Sequence, residues 1–209
     1  MTIQNNDTPL QKKSSWLFFL FWVIATVIGA VLGFATSLYI GDRLPPAGHS
    51  PVILILLAFF LVNIAGIFAT CLQWAVLSIF IKRSIAWLIA GLIGWCLPFA
   101  GFLTLFVPIT GQSADLIAAG GFTSGFLQWL TMRKWVPRAG WWILANTIGW
   151  SLVVVLLSRP TPFPFPPSWG YWSMLPLPIF PGVITGFTMM MLMRSAHTSL
   201  NPSASAAHR

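Results

Sequence analysis

Ser124, in the run Gly121-Phe122-Thr123-Ser124-Gly125, and the amides Gln73 and Gln128, each in a Leu-Gln-Trp triplet, are the side chains whose spacing invites a chemical reading. A nucleophilic serine needs a base within hydrogen-bond reach. The intramembrane serine-protease pattern Gly-x-Ser-Gly would require glycine where Phe122 stands, and the three histidines, His49, His197 and His208, lie outside every apolar stretch. Ser124 therefore reads as a small contact residue. The lack of histidine in those stretches also removes the usual axial ligand of haem or chlorophyll and the usual zinc ligand. The acids Asp7, Asp42 and Asp115 sit away from the middle of any apolar stretch, where ion-coupled transporters place ionisable groups. Cys71 and Cys96 lack the spacing of a metal or disulfide framework and read as small hydrophobes. No catalytic residue and no metal site is expected. Asn63 joins the notable span amides, and Gln73, Gln128 and Asn146 are candidates to line a ligand pocket or hold a pigment metal. The plainer reading of the two glutamines is interhelical hydrogen bonding, worth roughly 0.6 to 2 kcal/mol each.

Composition says which elements must position these groups. The 209 residues are 57% hydrophobic and 7% charged, with mean hydropathy +0.83, whereas a soluble domain carries about 25% charged residues. Six apolar stretches, each near the length of about 20 residues that spans a bilayer, run from Trp16 to Ile40, Val52 to Ile81, Ile85 to Ile109, Ala114 to Met132, Trp141 to Leu157 and Tyr171 to Met193. They predict an all-α polytopic membrane protein with six transmembrane helices in one domain, residues 16–194. Residues 1–15 and 195–209 read as disordered polar tails. The first stretch is too long for a signal-peptide core of about 7 to 15 residues, so an uncleaved helix is expected. With the N-terminus in the cytoplasm, Lys12, Lys13, Lys82, Arg83, Arg133, Lys134, Arg138, Arg194 and Arg209 fall inside, and Arg43 and Arg159 outside. This positive-inside bias places both termini in the cytoplasm of a bacterial inner or thylakoid membrane. It assigns the net charge of +8 to topology and anionic headgroups rather than to nucleic acid.

The stretches repeat in pairs, at about residues 16–83, 84–138 and 139–194. The odd ones align from Phe21, Ala86 and Trp141, each with Trp, Ala three later and Gly seven later: Trp22, Ala25, Gly29; Trp87, Ala90, Gly94; Trp142, Ala145, Gly149. The even ones align on Gly66, Gly121 and Gly182, with Thr70, Gly125 and Gly186 four later; the third shows Thr188, Met189 and Met190 in place of Leu-Gln-Trp. Each unit holds two helices, so successive units enter the membrane in the same direction. The arrangement expected is three parallel hairpin repeats around a pseudo-axis along the membrane normal. Spacings of three, four and seven put the small residues on one helix face. In lipid, such residues let backbones touch, so Gly29, Gly66, Ala90, Gly94, Gly121, Gly125, Ala145, Gly149, Gly182 and Gly186 are expected to be helix-packing positions.

Elsewhere, Trp16, Trp74, Trp129, Trp135, Trp141, Trp169 and Trp172 read as interfacial belt residues. Trp87, Trp95 and Trp150 are placed deeper, against helices or carotenoid or chlorin rings. Pro98, Pro176, Pro178 and Pro181 are expected to bend the third and sixth helices, with an outer pocket as one consequence.

The signatures "LQWLTMRKWVPRAGWWILANTIGWSL" (Leu127 to Leu152) and "LQWAVLSIFIKRSIAWLIAGLIGWCL" (Leu72 to Leu97) resemble a repeat of uncharacterised multi-spanning bacterial membrane proteins, including cyanobacterial ones. That resemblance implies kinship and no activity. The expected role is a non-catalytic membrane subunit or scaffold that associates with other membrane proteins, lipids or pigments, within a complex such as a photosynthetic one. The alternative is capture or transport of a small apolar solute, by similarity in size and topology to the substrate-binding subunits of energy-coupling-factor importers. Bound lipid, carotenoid or chlorin would be the ligand in the first case, and a small apolar solute in the second.

Overall fold

The computed structural model describes residues 9–41, 43, 51–80, 84–101, 114–157 and 176–200, with the side chains of 9–14, 38, 41, 51–62, 99–101, 114–116, 157 and 196–200 outside that description. It contains six helices: α1 Pro9–Gly41, α2 Pro51–Phe80, α3 Ile85–Gly101, α4 Ala114–Met132, α5 Trp141–Leu157 and α6 Ile179–Leu200. Among the described residues there is no strand. Pro9 and Pro51 open their helices, the position where a proline's missing N–H is not needed and its fixed φ suits the first turn. Residues 9–15, expected in a disordered tail, are thus helical, and so are 195–200. The rest of the two tails lies outside the described residues.

The prolines of the sixth stretch act differently from expectation, whereas Pro98 lies inside the third helix as read from the sequence. α3 runs through Pro98 to Gly101 without a break. Pro176 and Pro178 form the turn before α6, and Pro181 lies in its first turn, where Gly182 N–H donates to the Pro178 carbonyl at 3.1 Å. A proline within the first turn removes an N–H that has no intrahelical partner. These residues therefore start the sixth helix, and no bend follows from them.

Each helix packs on its chain neighbours, α6 closes back on α1, and α2 also touches α4. The interior joins aromatic and apolar side chains with polar ones, but most of the large aliphatics are distributed inside out. Facing outward are Ile24, Ile28 and Leu32 of α1, Ile85, Ile89, Ile93 and Leu97 of α3, Phe122 and Phe126 of α4, Leu144 and Ile148 of α5, and Val183, Phe187 and Met191 of α6. Buried instead are Thr26, Thr70, Gln73, Ser124, Gln128, Asn146 and Thr185. Two helices, through Ser15–Ser37 and Asn63–Phe80, are long and apolar enough by length and composition to cross a membrane. Ile85–Pro98, Trp141–Leu156 and Ile179–Ser195 are apolar but shorter within the described residues.

Candidate functional site

Close packing inside each helix pair is set by glycine. A Cβ added to Gly29 would meet the backbone of Ala69, one on Gly94 the backbone of Ser124, and one on Gly149 the backbone of Pro181. Gly33 lies in the same way against Ala65. Contacts between pairs use a second set: Gly125 lies against Asn146 and Ile143 and Gly182 against Thr26 and Val23, while Gly91 meets both Gln128 of its own pair and Thr70 of α2. Gly66 and Gly121 sit under the rings of Trp95 and Trp150, and Gly186 against Trp22 and Phe19. Ala90 and Ala145 are buried.

These approaches bring three indoles together. Trp22, Trp87 and Trp142 form a triangle with centroids 5.9 Å apart for Trp22–Trp87, 5.8 Å for Trp22–Trp142 and 6.0 Å for Trp87–Trp142. The rings are tilted or edge-on, the geometry that the aromatic quadrupole favours over a flat sandwich. All three are buried, and Leu77 of α2, Met132 of α4 and Met189 of α6 are buried in the same cluster.

Beside the triangle lies a belt of polar side chains, which bond mainly to one another. Trp142 Nε1 donates to Gln128 Oε1 at 2.9 Å, joining α5 to α4. Trp22 Nε1 donates to Thr185 Oγ1 at 3.1 Å, joining α1 to α6. Gln73 Nε2 donates to Thr26 Oγ1 at 2.8 Å, and the Thr26 hydroxyl donates to the Trp22 carbonyl at 2.8 Å. Asn146 Nδ2 donates to the Trp142 carbonyl at 3.1 Å, within its own helix. A second indole layer follows on the far side, with Trp95 and Trp150 edge-on at 4.9 Å and Trp95 Nε1 donating to Thr70 Oγ1 at 3.1 Å. Buried amides and hydroxyls require such partners, since an unmade bond in an apolar interior costs several kcal/mol by order of magnitude. The indole N–H of Trp87 is an exception: it is buried and has no partner, as is that of Trp74.

The contacts re-register the third pair. The alignment on glycine set Gly182 level with Gly66 and Gly121, and Met189 level with Gln73 and Gln128. Gly149, however, meets Pro181 rather than Thr185, the residue three after Gly182 that would match Ala69 and Ser124. Counted from that contact, Thr185 stands where Gln73 and Gln128 stand, and it accepts from Trp22 as Gln128 accepts from Trp142. Met189 then matches Leu77 and Met132 in the apolar cluster. The same count pairs Leu177 with Ala65 and Gly120. In the outer layer α1 has Ala30 where α3 and α5 have Trp95 and Trp150, and Leu177, fully buried beside those two indoles, supplies bulk that the missing ring does not.

The remaining candidates fall as follows. Ser124 is buried at the Gly94 contact. Cys71 is half-buried, and Cys96, expected inside the packing, is exposed on the outer side of α3. Trp16, Trp135 and Trp141 are exposed, Trp74 and Trp129 half-buried, and Trp169 and Trp172 lie outside the described residues. Among the described residues no group of His, Cys, Asp or Glu is gathered as a metal would need; Asp7, Asp42, His49 and His208, and the side chains of Asp115 and His197, lie outside them. Sequence reasoning marked Thr70 only as a repeat position and did not single out Thr26, Thr185, Leu177 or the Leu77 and Met132 side chains packed on the triangle. The signal was present: Thr26, Gly91 and Asn146 each follow a triangle tryptophan by four, one helical turn. No protein-family profile, no curated protein and no solved structure matches the chain.

Proposed function

We propose that this chain is a multi-spanning membrane protein in which three helix hairpins are arranged as parallel repeats about a pseudo-axis along the membrane normal, passing through the tryptophan triangle. Both termini face the cytoplasm. The protein acts as a non-catalytic scaffold or subunit, offering its outer apolar faces to other membrane proteins, lipids or pigments. The inside-out distribution is the observation that carries this reading. A water-soluble bundle buries its large aliphatics, and one exposing contiguous apolar faces on five of six helices would aggregate. In lipid those faces are at home, and interior association relies on small residues and hydrogen bonds, both of which are found between these helices.

Support for a scaffold comes from the use of the buried polar groups. Of the three pocket candidates, Gln73 and Gln128 hydrogen-bond to neighbouring helices, and Asn146 to its own backbone. Purification from the native membrane at endogenous level tests the reading. A partner subunit or a lipophilic molecule that stays bound in mild detergent is expected. A bare particle, or a chain released from membranes by alkaline carbonate, would overturn it.

One observation favours the second reading, capture of a small and mainly apolar solute. The unpartnered Trp87 N–H would be met by an oxygen acceptor on a bound molecule. Carbonyl-bearing lipophiles that quench Trp fluorescence in the native protein but not in Trp87→Phe would support it; equal quenching would remove it.

A further inference from the structure

The turn joining α4 to α5, Arg133–Gly140, carries three basic side chains, Arg133, Lys134 and Arg138. Val136 and Ala139 are buried in the cluster beneath the tryptophan triangle. The Trp135 and Val136 N–H groups both donate to the Met132 carbonyl, at 3.0 and 2.9 Å, and those of Trp141, Trp142 and Ile143 donate to the carbonyls of Arg138, Ala139 and Gly140. A turn pinned in this way holds its outer side chains in place. Those side chains are Arg133, Lys134 and Arg138, all exposed. The Arg133 guanidinium lies 5.4 Å over the Trp129 ring, a cation–π contact that restrains it. Asp115, in the first turn of α4, is the whole 19-residue helix away, about 27 Å along its axis.

Arg138 adds an independent sign. Its φ is +59°, and no other non-glycine among the described residues has positive φ. Glycine would take that conformation without strain, and an L-residue held there against its preference is a recurrent mark of a functional position. Here the residue kept under strain is a cation.

We propose that Arg133, Lys134 and Arg138 form a cradle for the phosphate of an anionic phospholipid in the cytoplasmic leaflet. The proposal rests on the membrane reading above. Depth argues for a lipid. The outward faces of α4 and α5, Phe126, Leu144 and Ile148, are apolar, and this surface gives way at the turn to exposed Trp135 and Trp141, 41% and 62% accessible. Indoles at that transition sit at headgroup level. The three cations therefore lie where lipid phosphates are, and two arginine forks can grip a phosphate with paired hydrogen bonds.

The test uses the full chain in nanodiscs of phosphatidylcholine with phosphatidylglycerol, followed by release into mild detergent and native mass spectrometry of the retained lipid. Wild type is expected to retain phosphatidylglycerol above its bulk fraction. Each single change to Gln should lower retention about fivefold, the ratio expected of one cation near the surface. Arg138→Gly is the decisive variant, because it should lower retention while leaving thermal stability equal or higher. Inorganic phosphate at millimolar level should not displace the lipid; displacement would assign the cradle to a free anion and overturn the lipid assignment. Equal loss on changing Lys12 and Lys13 to Gln would show bulk charge only, and would overturn the cradle. An acidic protein co-purifying through Arg138, with no lipid enrichment, would likewise overturn it. A chain that alkaline carbonate washes off vesicles would overturn the membrane reading itself, whereas one that stays embedded but retains both lipids equally would overturn the cradle alone.

Discussion

Trp142 donates its indole proton to Gln128 across the α4–α5 contact at 2.9 Å, while Trp87, at the matching corner of the same triangle, donates to nothing. The sequence places Gln73 before Trp87 as Gln128 stands before Trp142, fourteen residues earlier in each case. The Gln73 amide is instead turned to Thr26. The corresponding position in α3 is Gly91, which has no side chain to bond, and there the Gln128 amide lies against the backbone.

Trp87→Phe and Trp142→Phe should therefore differ although both remove the same ring volume from the triangle. Trp142→Phe also leaves the Gln128 carbonyl without its donor, and is expected to cost about 1 kcal/mol more. Thermal or denaturant unfolding in one detergent compares them. Equal losses would mean that the Trp142 bond contributes nothing or that Trp87 has an acceptor.

Gly94→Ala places a methyl in the Ser124 backbone, which cannot rotate away, so α3 and α4 must separate. The expected loss is about 1 to 3 kcal/mol, the usual cost of overpacking. Gly140→Ala is the control, since nothing lies within 4 Å of the added atom. A Gly94→Ala protein as stable as wild type would remove the glycine contact from the account.

The register of α6 is open to a double-mutant cycle. Thr185→Val deletes the acceptor of the bond between α1 and α6 at nearly constant shape, and Trp22→Phe deletes the donor together with ring volume, a loss that the cycle cancels. A coupling of about 0.6 to 1.7 kcal/mol is expected. A coupling near zero would place Trp22 against some other residue and restore the glycine-based alignment.

A lipid-soluble carbene probe should label Ile89, Ile93, Leu144 and Ile148, which face outward, and spare Trp87, Ala90 and Ala145, which are buried. Peptide mapping of the labelled protein reads this directly. Labelling of the small-residue faces would mean that the helices are turned the other way about.

Much of this was legible in the chain itself. Charge scarcity and the length of the apolar runs predict six apolar helices, and six helices form, two of them long and apolar enough to cross a membrane. The recurring Trp, Ala and Gly at positions 22, 25 and 29, and again at 87 and 142 onward, mark one face of each odd helix, since three, four and seven residues return to the same side. Periodicity could not say how far along that face each partner sits. A slip of four residues turns a helix by only about 40° and moves it about 6 Å, so aligning Gly182 or Pro178 with Gly66 leaves the pattern of small residues almost unchanged. The tertiary contact between Gly149 and Pro181 decides between them, and with it Thr185 becomes the acceptor and Leu177 the filler beside the outer indoles. Which glutamine meets which indole was equally out of reach, because that choice depends on Gly91 having no side chain where Thr26 and Asn146 have one, a difference expressed only when six helices close on one another.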